Sequence, residues 1–226
     1  MRPERYMSDH PLLPLIEDHD DSNGQGDRRT GARHLSVMRI VRLDMPSDQG
    51  LCLVRNISSG GLMAHVYDRL DVGDSVIAHF KSGFSPSGKV VWRRDAFAGV
   101  QFDHPIDVAQ ILGGDDHSTD GQTARAPRVP IDVAARVRIG ALYRAVKLVD
   151  ISLRGCKIET DHPLVARQQI VTTFTGLPAI AGTVRWTHDD LAGIAFDRAI
   201  AFDVLARWLA DLNAARSPDG PERLRA

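Results

Sequence analysis

The chain repeats itself at a fixed interval. "NISSGG" at 56–61 returns as "DISLRG" at 150–155, "GKVVW" at 88–92 as "GTVRW" at 182–186, and "AGVQFD" at 98–103 as "AGIAFD" at 192–197. Each pair lies 94 residues apart. Three matches in one register, with no net insertion between them, mean two copies of one domain. Any fold for this chain must therefore be built twice.

Each copy reads as β structure. "LCLVRNIS" and "AVKLVDIS" are apolar-rich runs ending in polar turn residues, and "GLMAHV" and "GCKIET" follow a glycine. Further short runs, "GDSVIAHF" and "QQIVTTF", then the "GxVxW" segments, a turn, and "GVQFD" or "GIAFD", complete each unit. Many short strands separated by turn signals predict an antiparallel barrel or sandwich. Helices are few. "AFDVLARWLADLNAAR" places Phe202, Leu205, Leu209 and Leu212 on one face, an amphipathic helix packed by one stripe. The first copy has only "IDVAQILGG", a shorter helix stopped by Gly113 and Gly114. The expected division is a disordered acidic tail (1–27), a first domain (28–112), a polar linker (113–123), a second domain (124–213) and a disordered end (214–226).

Charge and composition narrow the function. The net charge is −1, so a nucleic-acid polymer is not an expected partner. Residues 1–27 set two arginines against seven acidic residues, a sum of −5, which leaves the rest at about +4. The acidic run reads as a solubilising tail, with a competing anion for the arginine segment as the sharper alternative. No apolar run approaches the ~20 residues that span a bilayer, so no membrane insertion is expected. The start lacks a continuous apolar signal region. Cys52 and Cys156 are too few for a disulfide scaffold and read as small reduced hydrophobes, which points to the cytoplasm.

Catalysis finds no pattern to stand on. The nine histidines are scattered, with no pair at metal-ligand spacing. There is no phosphate-binding Walker loop and no GxSxG elbow. The chain is read as a non-enzyme with no catalytic residue, no metal ligand and no cofactor.

"RRTGARHLS" at 28–36 sets Arg29 and Arg33 four apart, directly before the first copy. A guanidinium fork matches phosphate oxygens and the O6/N7 edge of guanine. An RxxxR segment, then Asn56-x-Ser58-x-x-Gly61, then Gly88 to Trp92 and Gly99 to Phe102, resembles the PilZ domain. The resemblance covers 28–112 and again 124–213. It implies, for each copy, a six-stranded antiparallel β-barrel followed by a C-terminal helix, the second helix being the longer. It also implies binding of cyclic di-GMP, a bacterial second messenger, by the first domain. On that resemblance Arg29 and Arg33 close over the ligand, Asn56 and Ser58 bond it from the barrel wall, and Gly61 permits close approach or a special backbone conformation. Arg28 then favours a stacked ligand pair. The bound form would be relayed to an unidentified protein effector, with room for a homodimer. The alternative is a PilZ-like interaction or scaffold module that binds no nucleotide.

The second copy departs from the pattern. It keeps Asp150, Ser152 and Gly155, but the 94-residue offset puts Thr123 and Pro127 at the arginine positions. Allowing one gap puts Ala124 and Arg128 there, and Arg125-x-x-Arg128 has the wrong spacing. The second domain is expected to bind ligand weakly or not at all, and to serve as scaffold, dimer surface or output surface. Structural roles stand beside the ligand roles: Asn56 and Asp150, like Ser58 and Ser152, suit turns. Trp92 and Trp186 are expected in the barrel core rather than as a stacking platform.

Overall fold

A computed structural model describes residues 35–113 and 126–216. Arg28, Arg29, Arg33, the acidic tail, most of the linker and the last ten residues lie outside the described residues.

The first copy forms β1 (Leu35–Asp44), β2 (Gln49–Ser58), β3 (Gly61–His65), β4 (Ser75–His79), β5 (Ser87–Arg94) and β6 (Phe97–Phe102), then α1 (Val108–Gly113). The second forms β7 (Val129–Ile139), β8 (Leu142–Ser152), β9 (Gly155–Glu159), β10 (Gln169–Phe174), β11 (Ile180–His188) and β12 (Leu191–Phe196), then α2 (Phe202–Arg216). All pairings are antiparallel, and both copies close into barrels of order β1-β2-β3-β6-β5-β4 and β7-β8-β9-β12-β11-β10. The expected fold class is thus the observed one. Helix α2 ends at Arg216, where the sequence segment "AFDVLARWLADLNAAR" ends.

Alternation explains the barrels. In β4, Val76 and Ala78 point inward between neighbours that are exposed or partly exposed. In β10, Ile170, Thr172 and Phe174 do so. Thr172 is the polar exception, and its hydroxyl donates to the Ile180 carbonyl at 3.1 Å, so no buried donor is left open. The turns after β5 and β11 both hold an aspartate at φ 52°, Asp95 and Asp189, a conformation its short polar side chain tolerates. Asp107 starts α1 by accepting from the Ala109 amide at 2.9 Å.

The two barrels pack on each other. Leu51 of β2 is 1% exposed and lies in the core cluster of the second barrel. Helix α2 buries Leu205, Ala206, Trp208 and Leu209. Trp208 also donates from Nε1 to the Thr175 carbonyl at 2.8 Å. Phe202 meets Tyr67 of the first barrel edge-on at 5.7 Å, and the Arg207 guanidinium lies 5.9 Å from the same ring. Near the end of α2, Asn213 donates from Nδ2 to the Gln49 carbonyl at 3.1 Å and to Asp68 Oδ1 at 2.8 Å.

Leu51→Ala should lower the unfolding free energy by about 2–5 kcal/mol, the cost of a cavity in a packed core. Chemical denaturation followed by circular dichroism measures it. A loss below about 0.5 kcal/mol would show that the inter-barrel packing is not built on Leu51.

Candidate functional site

On the outer wall of the first barrel, Asn56, Ser58 and Gly61 come together in a groove of about 510 Å³. Leu62, Met63, Val91, Trp92, Gly99 and Gln101 complete most of its lining. Three of the residues expected from the sequence are thus neighbours. The other three, Arg28, Arg29 and Arg33, fall outside the described residues.

Two bulges aim the wall. On β1 the register slips between Ser36 and Arg39, and on β2 between Val54 and Asn56. A bulge adds one residue to a strand and re-aims the side chains beside it. Asn56 is left half-buried, with its Oδ1 accepting from the Ser36 hydroxyl at 3.3 Å. Ser58 is buried, and its hydroxyl donates to the Gly61 carbonyl at 3.3 Å. Ser152 makes the same bond to Gly155 at 3.0 Å. The hydroxyl therefore closes the β2–β3 turn in both copies. Gly61 is required by packing: a Cβ there would sit 2.4 Å from the Val100 carbonyl oxygen, and at Gly155 2.3 Å from that of Ile194. Neither glycine has a positive φ, so no special backbone conformation is involved.

Trp92 and Trp186 are not core residues, contrary to expectation. They are 40% and 42% exposed. Strict alternation would put Trp92 on the inward side with Val90. The register slip between Val90 and Trp92 turns it outward, and the slip between Val184 and Trp186 does the same in the second barrel. Each ring lies on the glycine paired with it across the strands, where a Cβ on Gly99 or Gly193 would meet the indole Nε1 at 2.0 or 2.1 Å. The groove gains an aromatic surface that alternation did not reveal. The signal available in the sequence was the glycine of "AGV" and "AGI" recurring beside the "GxVxW" strand.

The corresponding wall of the second barrel carries different chemistry. Asp150 pairs with Arg128 Nη1 at 2.6 Å and with Lys157 Nζ at 3.5 Å, and only 14% of its side chain is exposed. Strand pairing places Val129 opposite Ile151 just as Leu35 stands opposite Ile57, so the 94-residue offset holds without a gap. Arg128 therefore corresponds to His34, and Pro127 to Arg33. Where Lys157 stands, the first copy has Met63. The carboxylate of the second motif is thus engaged by its own barrel.

Nothing here supplies a reactive thiol. Burial, with the Asp68 charge second, pushes the Cys52 thiol up to about 12. Burial raises Cys156 as well. Among the described residues there is no group of three or more His, Cys, Asp or Glu able to hold a metal, and no helix long and apolar enough to cross a membrane.

The model of the PilZ domain family matches residues 27–113 and 122–211. No curated protein matches the sequence. Among solved structures, the chain is similar to the Borreliella burgdorferi PlzA protein in complex with c-di-GMP, at 12% identity and a TM-score of 0.38, over 78% of this chain and 93% of that one. It is similar to the Bacillus subtilis inhibitor of motility MotI/DgrA at 10% identity and a TM-score of 0.32, over 80% and 99%. It is also similar to Escherichia coli YcgR in complex with c-di-GMP at 12% identity and a TM-score of 0.29, over 79% and 83%.

Two substitutions test this account. Gly61→Ala should destabilise the protein by about 1–3 kcal/mol, as overpacking does, with Gly155→Ala costing a similar amount in thermal melts. Arg128→Ala should cost about 1–3 kcal/mol by leaving Asp150 with one cation fewer, and Asp150→Asn in the same background should recover part of it.

Proposed function

The chain belongs to the PilZ domain family, and from that premise we propose that it is a receptor for cyclic di-GMP, bound by its first barrel and relayed to a protein partner. The observation that carries the reading is the convergence of Asn56, Ser58, Gly61 and Trp92 on one groove of that barrel, while Asp150 of the second is held by Arg128 and Lys157. The ligand has two phosphodiester charges and two guanine bases. The groove offers the Asn56 and Gln101 amides as hydrogen-bond partners and the free face of Trp92 as a stacking surface. Arg29 and Arg33 bring the charge that the groove lining lacks. Arg33 precedes β1 by two positions in the sequence, and Ser36 of β1 is bonded to Asn56. Two guanidinium forks reach phosphate oxygens or the guanine O6/N7 edge. Arg28 joins them if a stacked pair is bound.

The second barrel fits a different role. With its motif carboxylate neutralised and no arginine pair before it, it is a scaffold or partner-binding surface. The reading needs no catalytic step.

Calorimetric titration of the whole protein with cyclic di-GMP tests the proposal, and the ratio at saturation separates one ligand from a stacked pair. Arg29→Ala and Arg33→Ala should each cost about 1.5–3 kcal/mol of binding, the scale of a charge-assisted hydrogen bond. Trp92→Ala should weaken binding by about 1–3 kcal/mol if a base stacks there. No heat and no change in melting temperature at saturating ligand would reject the reading. Wild-type affinity in an Arg29→Ala, Arg33→Ala double variant would move the site elsewhere.

A further inference from the structure

The first barrel carries a chain of four polar side chains on β1, β4 and the β4–β5 turn, and none of them lines the Asn56 groove. Strand pairing puts His79 of β4 opposite Arg42 of β1, and the turn after β4 brings Ser85 back beside His79. Arg42 Nε donates to Asp44 Oδ1 at 2.9 Å. Asp44 Oδ2 accepts from His79 Nε2 at 2.8 Å, and His79 Nδ1 lies 2.9 Å from the Ser85 hydroxyl oxygen. A carboxylate at Nε2 holds the ring proton there, which leaves the Nδ1 lone pair to accept from Ser85. The order is nucleophile, base, and a third group that orients the base, with each link inside hydrogen-bond reach. Ser85 is exposed, while the His79 and Asp44 side chains are only 26% and 24% exposed.

The second barrel serves as the control. It repeats the pairing in the same register, with Thr173 opposite Arg136 as His79 is opposite Arg42. At the 94-residue offset it has Arg138, Thr173 and Ala179 where the first barrel has Asp44, His79 and Ser85. A barrel of this kind therefore closes without any of the three. We propose that Ser85 is a nucleophile primed by His79 and Asp44 for acylation, with an acyl phosphate as the donor. The donor class follows from the neighbouring surface. One face of β1 runs from Asp44 and Arg42 to Ile40, and Ile40 lines a groove of about 630 Å³. The charged residues of that groove are Arg39, Lys81 and Arg154, above apolar side chains that include Phe80 and Leu153. A cationic lining suits a leaving group that carries negative charge.

In the step, the Ser85 oxygen attacks the acyl carbon and its proton passes to His79 Nδ1. The bond between the acyl carbon and the phosphate oxygen breaks, and phosphate leaves with the electron pair. His79, held by Asp44 throughout, returns the proton to the departing phosphate. The product is one ester on Ser85 per chain, and nothing is oxidised or reduced. The modification stands apart from the cyclic di-GMP reading and does not depend on it.

The test uses the full chain. The protein is incubated with acetyl phosphate, quenched in acid and mapped by tandem mass spectrometry. Ser82 is exposed on the same turn and serves as the reference within the molecule. Ser85 should gain an acetyl group about a hundredfold faster than Ser82, the lower end of what a positioned base supplies. This comparison is made in the wild type, so it does not depend on any variant folding. His79→Gln should bring Ser85 down to the Ser82 rate, and Asp44→Asn should slow it about tenfold or more by releasing the ring orientation. Thermal melts show that each variant is folded. Wild-type Ser85 labelled no faster than Ser82 overturns the proposal. So does a folded His79→Gln variant that keeps the wild-type rate at Ser85.

Discussion

Closure of each barrel through its first strand is the constraint on which the rest depends. Strand β1 pairs with β2 over most of its length and with β4 at Arg42–Asp44, and β7 does the same with β8 and β10. Closure removes exposed strand edges, so backbone groups are paired within the sheet. It brings strands close enough that a Cβ at Gly61 would lie 2.4 Å from the Val100 carbonyl oxygen. Bulges bend the strands that carry them, and each bulge changes which side chains face out. Asn56 and Trp92 both stand beside a register slip. The groove is a by-product of how a small barrel closes.

The duplicated domain separates what the fold needs from what a ligand needs. Ser58 and Ser152 make the same bond, Gly61 and Gly155 meet the same carbonyl contact, and Trp92 and Trp186 cover the same glycine. These shared features belong to the barrel. The differences are chemical: Asn56 and Met63 in the first copy face Asp150 and Lys157 in the second, with Arg128 added. A half-buried carboxylate must be paired or lose its charge, and the second barrel pairs it internally. The neutral amide of the first barrel needs no such partner and keeps its donors for something else.

The barrels are nevertheless unequal partners in one structure. Helix α1 is six residues long, while α2 has fifteen and reaches from its own core to the first barrel. Leu51 leaves the first core for the second. The strand that bears Asn56 is thereby tied to the neighbouring domain.

By itself the sequence determined the duplication, the β character of each copy and the two helices, which follow from local pattern: a 94-residue register, alternation and helical spacing. The six-stranded barrel and the grouping of Asn56, Ser58 and Gly61 came from the motifs that resemble the PilZ domain. The sequence misplaced Trp92 and Trp186, because a single bulge inverts alternation and its trace in the sequence is only a glycine recurring on the paired strand, Gly99 and Gly193. It left open whether the barrels touch. Only the tertiary structure decided that Leu51 and Asn213 join them and that Arg128 and Lys157 occupy Asp150. Except at Asp150, which draws both its cations from within its own domain, these contacts link residues far apart in the chain. Their strength comes from burial and pairing at an interface, which a local pattern does not encode.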